Sequence, residues 1–296
     1  MKKALLIFIT GLLFIACHSN NKKETTQEQS QPDIILPTEV EFKVLVDSSV
    51  LNSDSLFVFL DFYGLPCAMF NNVIIDILND TTENDFRIVI DTLLAHSICC
   101  FSDGKLFTVS ENKLRQFIDN KMQDVAELPS ENMFLEKAGE NGLYIYGQTI
   151  TDKDTLNALY LYNTNTQKVS TLLNDKRNIM AIAGNGDSTY IALDNTLFLL
   201  ANGKSEELLS NIPIKSIAVL HNKCFVATND FVGICYEANK FIPFIKKGAK
   251  KLLYNGYELY VLFNNGMLAE LTNVDSFDNF CIKANSLLTQ KQITSN

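Results

Sequence analysis

Tryptophan is absent from the 296 residues, and histidine and arginine are scarce. His18, His96 and His221 stand far apart with no short-range partner, so the ligand spacing of a zinc site is missing. Arg87, Arg115 and Arg177 are equally scattered and offer no cluster for reading phosphate. Positive charge is in deficit: the formal balance is −9, and without Lys2 and Lys3 it falls to −11. Such a chain repels nucleic acid and anionic headgroups. Neither Gly-x-Ser-x-Gly nor a glycine-rich phosphate loop occurs, and the alternating acids of a calcium loop are not met at 152–154 or 47–54. No motif carries a reaction, and neither a metal nor a cofactor is expected. Helical stripes with apolar residues at i, i+3, i+4 and i+7 are also scarce.

What is present begins at the N-terminus. Lys2 and Lys3 precede a mostly apolar run from Ala4 to Ile15, and Phe14, Ile15 and Ala16 lead into Cys17. Twelve residues are too few to cross a bilayer, which takes about 20. The order resembles a bacterial lipoprotein signal, with Phe14 where leucine is commonest. The resemblance implies that Cys17 is lipidated and becomes the first mature residue; the other reading is a plain secretory signal. His18, not an acid, follows the cysteine, and by the same resemblance this favours the outer membrane over the inner one. From His18 to Asp33 the chain is polar and reads as a tether, unable to bury enough apolar surface to offset its ordering entropy.

After Pro37 the pattern changes to period two. Val40, Phe42, Val44 and Val46 alternate with Glu41, Lys43 and Leu45, as in a half-buried strand, and Ile74 to Leu78 reads as a strand too. A short phrase, apolar–aromatic–β-branched, then recurs around Phe57, Phe107, Tyr144, Tyr190, Phe225 and Tyr260, at steps of 50, 37, 46, 35 and 35 residues. An apolar position precedes most anchors by eight or nine residues, at Ile98, Leu135, Ile182, Ile217 and Leu252. A third strand follows at Leu114, Leu197, Val232 or Leu268, and a fourth at 169–173 or 241–245. Asp103-Gly104, Asn141-Gly142, Asn202-Gly203, Asn255-Gly256 and Asn265-Gly266 supply turns, expected as type I′ hairpins. Four antiparallel strands repeated about every 42 residues is what a propeller blade requires.

Here the chain resembles the β-propeller repeat proteins, and 159–169 looks like the strand, polar turn and strand of quinoprotein-like and related propellers. Lacking tryptophan, it has neither the Trp-Asp ending of one large propeller class nor the tryptophan of the quinoprotein repeat, and it has no paired-glycine kelch signature. The expected fold is all-β: a propeller of six four-stranded blades. The expected organisation is a signal peptide at 1–16, lipidated cysteine and tether at 17–38, propeller at 39–290 and tail at 291–296.

By the same resemblance, loops joining second and third strands share one face. Asp61, Phe62, Tyr63, Asp152 and Asp154 are placed there, and Asp194 and Asp230 join them as a candidate ligand face. Carboxylate pairs for glycoside chemistry could be assembled from Asp61, Asp152, Asp194 and Asp230, but an acidic chain with 34 carboxylates offers such pairs anyway, and the solvated-turn reading is favoured.

Six cysteines besides Cys17 are irregularly spaced, which makes buried free thiols the default. A two-residue loop at Asn229-Asp230 would set Cys224 opposite Cys235, where an exported protein could form a cross-strand disulfide. The function expected is that of a membrane-anchored envelope lipoprotein whose propeller is a binding or assembly scaffold for a protein or small molecule. The alternative is an envelope hydrolase or lyase with carboxylates over the channel. Shifted carboxylates at a channel mouth would mark the enzyme, and an exposed apolar patch the scaffold.

Overall fold

A computed structural model describes residues 42–46, 51, 57–70, 73–78, 88–89, 97–101, 104–119, 121–150, 154–184, 187–220 and 223–271. The expected signal peptide, Cys17, the tether, Asp152, all three histidines and the 291–296 tail lie outside the described residues.

The described strands form six four-stranded antiparallel sheets. Sheet 1 holds β2 (Phe57–Leu60), β3 (Pro66–Phe70), β4 (Val73–Asp76) and β5 (Ile88–Val89) in that spatial order. Sheet 2 holds β6 (Ser97–Cys100), β7 (Leu106–Ser110), β8 (Lys113–Ile118) and β9 (Lys121–Glu127). Sheet 3 holds β10 (Met133–Lys137), β11 (Gly142–Ile150), β12 (Thr155–Asn163) and β13 (Lys168–Asp175). Sheet 4 holds β14 (Ile179–Gly184), β15 (Ser188–Leu193), β16 (Thr196–Ala201) and β17 (Lys204–Leu209). Sheet 5 holds β18 (Ser216–Leu220), β19 (Lys223–Ala227), β20 (Val232–Glu237) and β21 (Lys240–Ile245). Sheet 6 holds β22 (Ala249–Tyr254), β23 (Leu259–Phe263), β24 (Leu268–Leu271) and, outermost, β1 (Phe42–Val46).

The first strands touch in cyclic order, β2 to β6, β10, β14, β18, β22 and back to β2. The apolar core is divided in the same way. Each of its clusters fills one seam between neighbouring sheets: Phe59, Cys67 and Ile98 between sheets 1 and 2; Phe107, Leu135 and Tyr162 between 2 and 3; Tyr144 and Ile182 between 3 and 4; Tyr190 and Cys224 between 4 and 5; Phe225 and Val261 between 5 and 6; Tyr260 and Val58 between 6 and 1. The last seam closes the ring. β1 locks it by pairing Phe42, Lys43 and Val44 of the N-terminal end with Leu271, Glu270 and Ala269.

This layout explains the sequence pattern. A second strand has a seam on both faces, so it is buried along its whole length, as in Leu259–Phe263 and in Leu106–Ser110, where Thr108 and Ser110 are buried along with the apolar residues. Outer strands face water, and β9 and β17 are charged, which also discourages edge-to-edge pairing. Each fully buried Phe or Leu of a seam contributes roughly 1.5–3 kcal/mol.

Two expectations are corrected. Phe107, Tyr144, Tyr190, Phe225 and Tyr260 lie in second strands, but Phe57 lies in the first strand of its sheet and pairs with Met69 of β3. Pro66–Phe70, the true second strand, carries Cys67 and Ala68 at its centre and so lacks the repeated phrase. The turn type also differs. Of the Asn-Gly pairs, only Asn202-Gly203 has both φ angles positive, at 52° and 70°. At 61–65 and 263–267 the hairpin is instead a three-residue loop closed by a left-handed glycine, Gly64 or Gly266. In the first of these, Asp61 N donates to Leu65 O at 2.9 Å and Gly64 N to Asp61 O at 3.2 Å, with Gly64 at φ 76°. The extra residue sets the glycine at the third loop position, where the dipeptide signal alone does not place it.

Candidate functional site

In a run of antiparallel strands, loops alternate between the two ends. The loop 61–65 joins the first and second strands of sheet 1, whereas Asp154 flanks the β11–β12 loop, and Asp194 and Asp230 sit in the β15–β16 and β19–β20 loops, each joining second to third strands. Asp61, Phe62 and Tyr63 are therefore on one face and Asp154, Asp194 and Asp230 on the other, so the expected single ligand face does not exist. The physical reason is the one-strand shift at Phe57. Asp152 lies outside the described residues.

The acids of the second face are absorbed by local structure. Asp194 Oδ1 accepts from the backbone and side-chain nitrogens of Asn178, both at 3.1 Å. Asp154 stands 3.8 Å from Lys176 on exposed surface. The Asp230 amide donates to Thr228 Oγ1 at 3.2 Å, tightening its turn. Among the described residues no group of three or more His, Cys, Asp or Glu could hold a metal ion.

The first face is built differently at the seam of sheets 6 and 1. Asp61 Oδ1 accepts from Tyr63 N at 2.8 Å and Leu65 N at 2.9 Å, which fixes the 61–65 loop. Asn255 Oδ1 does the same for the 255–258 loop, accepting from Tyr257 N at 2.8 Å and Glu258 N at 2.7 Å. Asn255 Nδ2 then ties the loops together, donating to Gly64 O and to Glu258 Oε2, both at 3.1 Å. Their approach needs a glycine: a Cβ at Gly64 would stand 2.8 Å from that of Asn255. On this pinned base Tyr63 and Tyr257 are 81% and 88% exposed.

Acids surround the same seam. Burial, then its hydrogen bond to Glu258, pushes the Tyr260 phenol up, and Glu270 and Asp61 push in the same direction. In the neighbouring seam of sheets 1 and 2, burial, with Asp61 and Asp76 behind it, pushes the Cys67 thiol up to about 12.

The centre of the ring holds a second charged feature. Lys251 of β22 and Glu136 of β10 form an ion pair, although their sheets, 6 and 3, lie on opposite sides of the ring. Nearby Cys99 is pushed up to about 12, chiefly by burial, which outweighs the lowering by Lys137 and Lys251. It is a protonated thiol at neutral pH, not a nucleophile.

Cys224 stands opposite Cys235 in the β19–β20 register, yet no disulfide joins the two buried thiols. Counting from the Thr228 N to Phe231 O bond makes theirs a hydrogen-bonded pair, the position where opposed Cα atoms are farther apart.

No protein-family model matches the chain, and no curated protein matches it. Solved structures do. Regucalcin, a calcium-binding protein of Agrobacterium tumefaciens, aligns over 78% of this chain and 93% of its own at 14% identity and a TM-score of 0.56. Virginiamycin B lyase from Staphylococcus aureus aligns over 80% and 99% at 12% identity and a TM-score of 0.51. The chain is a β-propeller. At these identities the likeness concerns the fold alone.

Sequence reasoning singled out Tyr63 but missed Asn255, Tyr257, Glu258, Glu136 and Lys251. Tyr257 carried a signal, being a large aromatic inside a turn, as Tyr63 is. Glu136 and Lys251 carried a weaker one, each being one of two adjacent charges in a mostly apolar inner strand, beside Lys137 and Lys250.

Proposed function

We propose that this propeller, with six blades, is a contact scaffold held to a bacterial envelope membrane by a lipid on Cys17, and that its working surface is the seam of blades 6 and 1. The observation that carries this reading is the pair of exposed tyrosines on two loops locked by Asp61 and Asn255. Large rings held in place without help from a ligand contribute contact area at low entropic cost, a property of protein-binding surfaces. A reaction over the channel finds less support. The channel's Glu136 is paired with Lys251. Asp124 and Asp175, on outer strands, are held below the usual carboxylate range by hydrogen bonds from Lys113 and Arg177, the opposite of what a general acid needs. The lipid anchor rests on the order of basic, apolar and small residues before Cys17, and the outer membrane on His18.

Photo-cross-linking tests the surface. The full chain, carrying a photoreactive residue in place of Tyr257 or of Val169 on the exposed outer strand of blade 3, is irradiated in its own envelope. Adducts at 257 and none at 169 are expected; the reverse would remove the seam from consideration. Cys17→Ser should move the protein out of the membrane fraction, because anchoring draws on about 0.8 kcal/mol for each buried methylene. Unchanged membrane association would sink the lipid anchor.

A further inference from the structure

We infer that the seam of blades 6 and 1 takes a cationic peptide segment, rich in Lys or Arg; this rests on the contact-surface reading above and names its partner class. Three observations converge. Tyr63 and Tyr257 present exposed ring faces, which attract ammonium and guanidinium groups. Asp61, Glu258 and Glu270 reach the region from three separate elements, acting on Tyr260 beneath it, while Lys43 stands opposite Glu270 in the β1–β24 register. The local balance is acidic, as is that of the whole chain at −9.

The third observation concerns individual oxygens. The bonds to Asp61 from Tyr63 N and Leu65 N both end on Oδ1, and those to Glu258 from Asn255 and Tyr260 both end on Oε2. Each carboxylate thus spends one oxygen on fixing its loop. Asp61 Oδ2 and Glu258 Oε1 accept no hydrogen bond among the described residues, and both side chains belong to part-exposed residues. A Lys or Arg side chain suits this arrangement: its apolar stem lies along a tyrosine ring while its head reaches a carboxylate. Two rings on two loops suit a segment of several residues rather than a single small cation.

The test uses the full-length protein in detergent and a fluorescein-labelled Gly-Arg repeat peptide, with a Gly-Glu repeat as control, read by anisotropy at low and high salt. The Gly-Arg peptide should bind, weaken with salt, and lose about tenfold in affinity in Asp61→Asn/Glu258→Gln and in Tyr63→Ser/Tyr257→Ser. Asn and Gln keep an acceptor oxygen for the loop bonds, so the first variant removes charge and not structure. Absence of binding, equal binding of the Gly-Glu peptide, or unchanged affinity in either double variant would overturn the inference. The envelope cross-link at 257 separates the two readings. An adduct there on a segment without Lys or Arg removes the cationic class and leaves the contact surface. Peptide binding with no adduct at 257 keeps the surface chemistry and removes the envelope contact.

Discussion

The two loop faces of the propeller use the same residue types to different ends. On the face of the second-to-third-strand loops, Asp194 spends its carboxylate oxygen on Asn178 within its own blade, and Asp230 sits in a turn tightened by Thr228. On the other face, Asp61 and Glu258 each fix a loop of their own blade with one oxygen, Asn255 joins the two loops through Gly64 O, and a tyrosine stands beside each acid. The difference lies in where the loops meet. A turn acid that only caps its own hairpin is a stability device, whereas two capped loops joined across a seam form a surface.

Substitutions can break this contrast. The largest effect should come from Gly64→Val, which puts a β-branched residue at φ 76° and a Cβ against Asn255. Denaturant unfolding should show a loss of about 2–3 kcal/mol, with Gly-Arg peptide binding abolished. Asn255→Ala removes the acceptor for two amides and the donor to Gly64 O, for a loss of about 2 kcal/mol and weakened peptide binding. Asp194→Ala is the matched change on the opposite face, expected to cost about 1 kcal/mol and leave peptide affinity where it was. If Asp194→Ala weakened binding as much as Asn255→Ala, the two faces would not be functionally distinct.

A pH titration reads the packed core instead of the loop faces. Cys67, like Cys99 and Cys235 elsewhere in the core, has its thiol pushed by burial from an ordinary 9.0 up to about 12. A raised native value means that the stabilisation is fully present below 9.0 and is lost as pH rises toward 12. Unfolding midpoints should therefore be flat with respect to these thiols near neutrality and fall on the alkaline side, less steeply in Cys67→Ala. The same burial predicts that Cys224 and Cys235 resist alkylation in the native protein and react on unfolding. The smallest effect on stability belongs to Tyr63→Ser/Tyr257→Ser, within about 0.5 kcal/mol, although this pair should have one of the largest effects on binding.

The sequence by itself determined the strands and their grouping. Period-two alternation, the apolar run at Leu259–Phe263, the apolar-rich Leu106–Ser110 and turn residues between strands are local consequences of a pleated chain buried on one or both faces, so they are legible without coordinates. The opposition of Cys224 and Cys235 was legible for the same reason, since a two-residue loop fixes the register of its own hairpin. What tertiary structure alone decided is everything that joins residues distant in the chain. β1, first in sequence, completes the last sheet, and nothing in Phe42–Val46 says that its partner is Leu268–Leu271. Asn255 reaches Gly64 across 191 positions, and Lys251 reaches Glu136 across 115. Which face Tyr63 occupies depended on counting strands from the right start, and one repeat without its aromatic was enough to reverse it. Local rules set each strand and turn, but a ring of sheets brings its ends and its centre together only by closing, and closure is a property of the packed seams rather than of any stretch of sequence.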